Sequence, residues 1–228
     1  MTEIDGVGQN GGVTRRVALT GLAALAVSAA PIDAQAADTE VPMALDPART
    51  ALLLLHYQDD ILSIFTEAGI EAQVARMTAL AAAARAASIP VICVRIGFSP
   101  DYREISPLNR NGRMIRGFGL FTADAVPEGL RAPGDTVLTG HRVSAFQGTA
   151  LEQHLRARGT DTLLMAGITT TGVVVSTLCD ASDRDYRILL VEDGCFDPDA
   201  EAHAGLLRTT FATRAEILST NDAIAFIG

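Results

Sequence analysis

The sequence predicts an α/β fold built on a parallel sheet with helices on both faces. Three observations carry this. Short apolar runs alternate with longer helical segments along residues 51–220. The runs are continuously apolar, as strands covered on both sides must be. Of the 228 residues 48% are apolar, enough for one domain with a proper core.

Taken in order, ALLLLHY (51–57) reads as a strand and IEAQVARMTALAAAARAAS (70–88) as an Ala-rich helix. PVICVRIGF (90–98) and DTVLTG (135–140) read as strands, and residues 99–134 between them as one long irregular stretch. TALEQHLRARG (149–159) is a helix, with Thr149 as cap and Glu152 three residues on. DTLLMAGI (161–168) is a strand and TGVVVSTLCDASDRD (171–185) a helix. YRILLVED (186–193) is a strand, DAEAHAGLLRTTFATR (199–214) a helix and AEILST (215–220) a strand. Right-handed crossovers bring the strand C-termini to one edge, where such sheets bind ligands. The residues just past each strand are therefore the candidate site: 56–60, 97–102, 140–146, 168–173 and 193–197.

A net charge of −9 with no basic cluster excludes a nucleic-acid surface. All 18 basic residues are arginine, so no mechanism can use a lysine amine. Cys93, Cys179 and Cys195 lack metal-ligand spacing and read as free thiols. Thr14-Arg15-Arg16, the apolar run after it and the AQA at 34–36 read as a twin-arginine export signal. The expected organisation is a signal peptide (1–36), a linker (37–47) and one domain (48–228), exported to the periplasm or beyond, with no membrane span in the mature form.

His56 ends the first strand beside Gln58, Asp59 and Asp60. An imidazole there suits a general acid or base, oriented by Asp59, Asp60 or His141 if the loops converge. It also suits a neutral, hydrogen-bonded structural histidine. Arg142 at the sheet edge could clamp a carboxylate or form a surface ion pair. Thr169, Thr170 and Gly172 form the turn into a helix whose first N–H groups could hold an anion. Phe98, Tyr102, Phe118, Phe121 and Phe146 could line an apolar pocket for a small aromatic or cyclic ligand. His154 and His203 both read as surface residues facing solvent.

Four segments resemble the isochorismatase-like hydrolases, also called the cysteine hydrolases: ALLLLHYQDDIL, YREISPLNRNG, RILLVEDGCFDPDAEAH and, most specifically, VSAFQGTALEQHLRARGTDTLLMAGITTTGVVVSTLCDASDRDY. The resemblance spans about residues 48–220. It implies a three-layer α/β/α sandwich, Rossmann-like, with about six parallel strands. It also implies a triad of Asp after the first strand, Lys before the S-A-F segment and Cys at the helix start. Here those positions hold His56, Gly140 and Val173. By the same resemblance Ile168–Thr169 is the candidate cis peptide, Asp60 braces a loop, and Thr177 packs or hydrogen-bonds. The stretch VRIGFSPDYRE lacks the histidine of the metal-binding branch, so no metal or other cofactor is expected. Homo-oligomers are common in the superfamily, with 173–175 and 99–134 as the places to look for contacts. Three functions stay open: a small-molecule pocket with altered, weak or no hydrolysis, a non-catalytic binding or assembly protein, and a rewired hydrolase or lyase using His56.

Overall fold

The computed structural model describes residues 45–66, 69–122 and 125–228. The signal segment and residues 37–44 of the linker lie outside them. Six strands form one sheet: β1 (Thr50–Leu55), β2 (Val91–Ile96), β3 (Thr136–Gly140), β4 (Thr162–Gly167), β5 (Arg187–Val191) and β6 (Glu216–Leu218). All pairs are parallel, in the order β3-β2-β1-β4-β5-β6. The chain winds from β1 outward to β3, then returns to the other side of β1 at β4. The point where the winding reverses therefore lies between β1 and β4, and the crevice at their C-terminal ends is where such a sheet accepts a ligand.

β1 is buried along its whole length. Its side chains alternate between two cores, as strand geometry requires. Leu52 and Leu54 join Met77, Leu80 and Ala84 of helix α2 (Ile70–Ala86) on one face. Ala51, Leu53 and Leu55 join Leu151 and Leu155 of α4 (Leu151–Ala157) and Leu178 of α5 (Val175–Ser182) on the other. Each fully buried leucine contributes about 1.5–3 kcal/mol of transfer free energy, so β1 anchors both layers.

All six predicted strands are present within two residues at either end. Three helices were not predicted. The stretch 99–134 is not wholly irregular: it contains α3 (Arg110–Phe118), started by Asn109, whose side chain accepts from Gly112 N at 3.1 Å, and stopped at Gly119 with φ +67°. α1 (Asp59–Ile64) is only six residues long, and α7 (Thr220–Ile227) follows a reciprocal Ser219–Asp222 cap. The predicted helices at 171–185 and 199–214 each contain a π-helical turn, at Thr170–Val174 and Leu207–Phe211, with α5 and α6 (Ala200–Leu206) as their regular parts. Thr149 is not the N-cap: that position is Ala150, which makes no side-chain cap bond, although Thr149 Oγ1 accepts from Leu151 N at 3.1 Å one residue earlier. Glu152 instead pairs with Arg156 at 2.6 Å. No described helix is long and apolar enough to cross a membrane.

Candidate active site

β1 ends by turning His56 into the left-handed region, φ +60°. That conformation is uncommon for a residue with a Cβ, though histidine is among those enriched there. The turn is held by His56 N donating to Val94 O at 2.7 Å. Alongside, β4 ends at Gly167, where a Cβ would stand 2.8 Å from Leu55 Cβ and 3.0 Å from Val174 Cγ2. Only glycine lets the π-helical turn lie against the end of β1. The Ile168–Thr169 peptide bond is cis.

Between these two strand ends lies a cavity of about 600 Å³. His56, Ile168, Thr169, Gly172 and Val173 form its inner wall, and Ile64, Phe65, Met114, Phe118 and Phe121 are among the residues that close it from α1, α3 and the loops. His56 is only 6% exposed, and its imidazole has no hydrogen-bond partner among the described residues. Burial lowers its pKa from 6.5 to about 3, so the ring is neutral at neutral pH. Val173 is buried and fills its place on the wall with methyl groups.

Seven of the sequence-derived candidates are not brought into this cavity. Asp60 turns away from His56, its Oδ2 accepting from Phe121 N at 3.1 Å. Exposed Asp59 makes no contact with the imidazole either. His141 is held by Nδ1 donating to Gly97 O at 2.6 Å. Among the described residues Arg142 neither clamps a carboxylate nor forms an ion pair: its Nη1 donates to Glu104 O at 3.1 Å and to His141 O at 2.6 Å. Gly140 has no side chain to reach inward, and a Cβ there would meet Thr149 Cγ2 at 3.0 Å. Phe146 points into the opposite core, stacked on Tyr186 at 6.0 Å with Arg184 over its ring at 4.7 Å. Thr170 is fully buried behind the wall, hydrogen-bonded to His203 Nδ1 at 2.8 Å. His203 therefore holds this turn in place and is not simply solvent-facing.

The anion site expected at the helix start is already taken. Asp197 Oδ2 accepts from Thr171 N at 2.7 Å and from Thr171 Oγ1 at 2.6 Å. Thr170 N donates to Phe196 O at 2.8 Å. A carboxylate of the protein itself thus occupies the two Thr171 donors. Of the aromatic candidates, Phe118 and Phe121 line the cavity, whereas Tyr102 is tied by its hydroxyl to Leu120 O at 2.9 Å. Thr177 accepts from Ala145 N at 3.0 Å.

None of the three thiols lines the cavity. All are free, and burial pushes Cys93 and Cys195 up to about 12, which makes them inert. Among the described residues no group of three His, Cys, Asp or Glu side chains converges as a metal site.

Residues 50–222 match the isochorismatase domain. The chain belongs to the isochorismatase family. Among its relatives, the ureidoacrylate amidohydrolase RutB of Methylobacterium radiotolerans is 32% identical over 212 residues, covering 80% of this chain and 82% of that protein. The isochorismatase family protein YecD of Escherichia coli O157:H7 is 29% identical, covering 79% and 97%. An isochorismatase family protein from Desulfovibrio vulgaris has the same fold, with a TM-score of 0.67, 28% identity and coverage of 78% and 98%. The six-stranded parallel sheet and its helices are thus the family's α/β fold.

Proposed function

We propose that this isochorismatase-family protein binds a small molecule in the β1/β4 cavity, with hydrolysis by the thiolate route lost. The observation that carries this is His56: a buried, neutral imidazole, without a hydrogen-bond partner among the described residues, facing a cavity of about 600 Å³ that no thiol lines. In this reading His56, Gly140 and Val173 stand at the positions where the superfamily's aspartate, lysine and cysteine act. Valine offers no nucleophile, glycine offers no charge to stabilise a thiolate, and a histidine held near pKa 3 is a weak base. Export through the twin-arginine signal and assembly into homo-oligomers belong to the same reading.

The relationship to an amidohydrolase favours a second reading, in which His56 relays a proton to or from a water that attacks an amide or carbamoyl carbon. A hydrolysis screen of the purified protein separates the two. The panel holds primary amides, N-carbamoyl compounds, vinyl ethers and small esters, with His56→Asn run in parallel. Asparagine accepts the left-handed backbone at this position. The binding reading expects no turnover from folded protein. Turnover that vanishes in His56→Asn would establish the rewired enzyme instead.

A further inference from the structure

A second groove, of about 520 Å³, lies beside the main cavity and shares Ile64 and Phe65 with it. Phe65 and Phe196 form an aromatic pair there, their ring centroids 5.1 Å apart and tilted by 56°. Asp197 lines the groove next to them. The backbone that carries Phe196 is fixed to the end of β4. Phe196 N donates to Gly167 O at 3.2 Å, and Thr170 N donates to Phe196 O at 2.8 Å.

Asp197 is the unusual member of this groove. It is only 8% exposed. A carboxylate buried to that extent is ordinarily paired with a cation. Asp197 instead accepts only from neutral donors: Thr171 N and Oγ1 on Oδ2, and Asp199 N on Oδ1 at 3.1 Å. Among the described residues no basic side chain pairs with it, and none lines the groove. The helix start that it caps offsets only about half a unit charge. The remainder is left uncompensated beside two aromatic rings.

We infer that this groove binds a small organic cation, its ammonium group against Asp197 and its hydrocarbon against Phe65 and Phe196. A carboxylate accepts the N–H donors of an ammonium in strong, charge-assisted hydrogen bonds. The ring faces carry partial negative charge, so they attract a cation while covering its apolar part. An anion would meet Asp197 with no basic side chain to offset the repulsion. Asp199 and Glu201, exposed on either side of Ala200 in the same groove, add to the negative field. The net charge of −9 draws cations toward the molecule in the same sense. The carboxylate that closes the helix start to anions thus opens the neighbouring groove to cations. None of this depends on what the main cavity holds.

The test uses the full chain at neutral pH with three probes: 2-phenylethylammonium, the neutral 2-phenylethanol and the anionic phenylacetate. Affinity is read by calorimetry. NMR follows the backbone amides of Phe196, Asp197 and Ala200 together with the His56 imidazole. The ammonium is expected to bind at least about ten-fold more tightly than the alcohol and to shift the three amides. Equal affinity for the alcohol, or tighter binding of phenylacetate, would overturn the cation class. No saturable binding of the ammonium would overturn the site. Binding that moves only the His56 signals would also overturn it, while supporting ligand binding in the β1/β4 cavity. Asp197→Asn keeps an acceptor for Thr171 N but removes the charge, and is expected to bring the ammonium down to the affinity of the alcohol. Phe196→Leu keeps apolar surface and the carboxylate, so it decides the matter if the Asp197 variant does not fold. It is expected to weaken the ammonium several-fold and the alcohol little. Ammonium affinity unchanged by Phe196→Leu would overturn the proposal.

Discussion

His56 and Gln58 leave the same strand two residues apart, and both are buried. Gln58 is fully engaged: its Nε2 donates to Ile96 O at 2.9 Å and its Oε1 accepts from Ile96 N at 2.8 Å. Between them, Tyr57 donates its hydroxyl to Gly194 O, which also accepts from Gln73. His56 has no such partner among the described residues. Buried polar groups that hold a fold together are saturated. One left open toward a cavity keeps its hydrogen-bonding capacity for something else, and its strained φ shows that the fold sustains it there.

The contrast can be broken most severely at Gln58. Gln58→Leu leaves both Ile96 backbone groups unpaired in the interior, at a cost of about 3–5 kcal/mol. Urea denaturation measures it, and a loss below about 1 kcal/mol would erase the distinction between the two residues. His56 makes the next largest difference, through pH. The unfolded imidazole takes up a proton below about 6.5, whereas the folded one resists until about 3. Its contribution to stability is therefore complete above pH 6.5 and is lost as pH falls toward 3. The slope approaches about 1.4 kcal/mol per pH unit, or about 2 kcal/mol at about pH 5. His56→Asn should lack this acid limb, as seen by subtracting its stability profile from that of the natural protein.

Asp197→Ala removes the cap on Thr171 and should cost about 1–2 kcal/mol, read as a shift in the denaturation midpoint. The smallest effect sharpens the comparison from the outside. Leu108 is 89% exposed, and Leu108→Ser should change stability by less than about 0.5 kcal/mol. A larger loss would mean that the 99–134 region packs against something, such as a second copy of the chain.

The strands were legible because a strand covered on both faces must be largely apolar, and β1, β2 and β4 are, apart from an opening threonine in β1 and β4 and Arg95 in β2. The edge of the sheet was legible for the same reason, which is why His56, Ile168, Thr169, Gly172 and Val173 are found together. What was not legible is which way each residue turns on leaving its strand. Phe146 and Asp60 sit at the edge but face away from the cavity. His56, Tyr102 and Phe121 take left-handed backbone that no local pattern announces. The loss of the anion site depended on Asp197, which reaches Thr171 from 26 positions along the chain. α3 did leave a signal, in its Asn109 start and Gly119 stop, but its short, arginine-rich pattern has too few apolar positions to read as a core helix.

The most direct test of the account is an NMR titration of the His56 imidazole in the intact protein. The account predicts that it stays neutral down to at least about pH 4 and titrates toward about 3. A midpoint at about 6.5 would mean that the ring is hydrated, and one above it that a carboxylate faces the ring; either would contradict an unpartnered histidine in an apolar cavity.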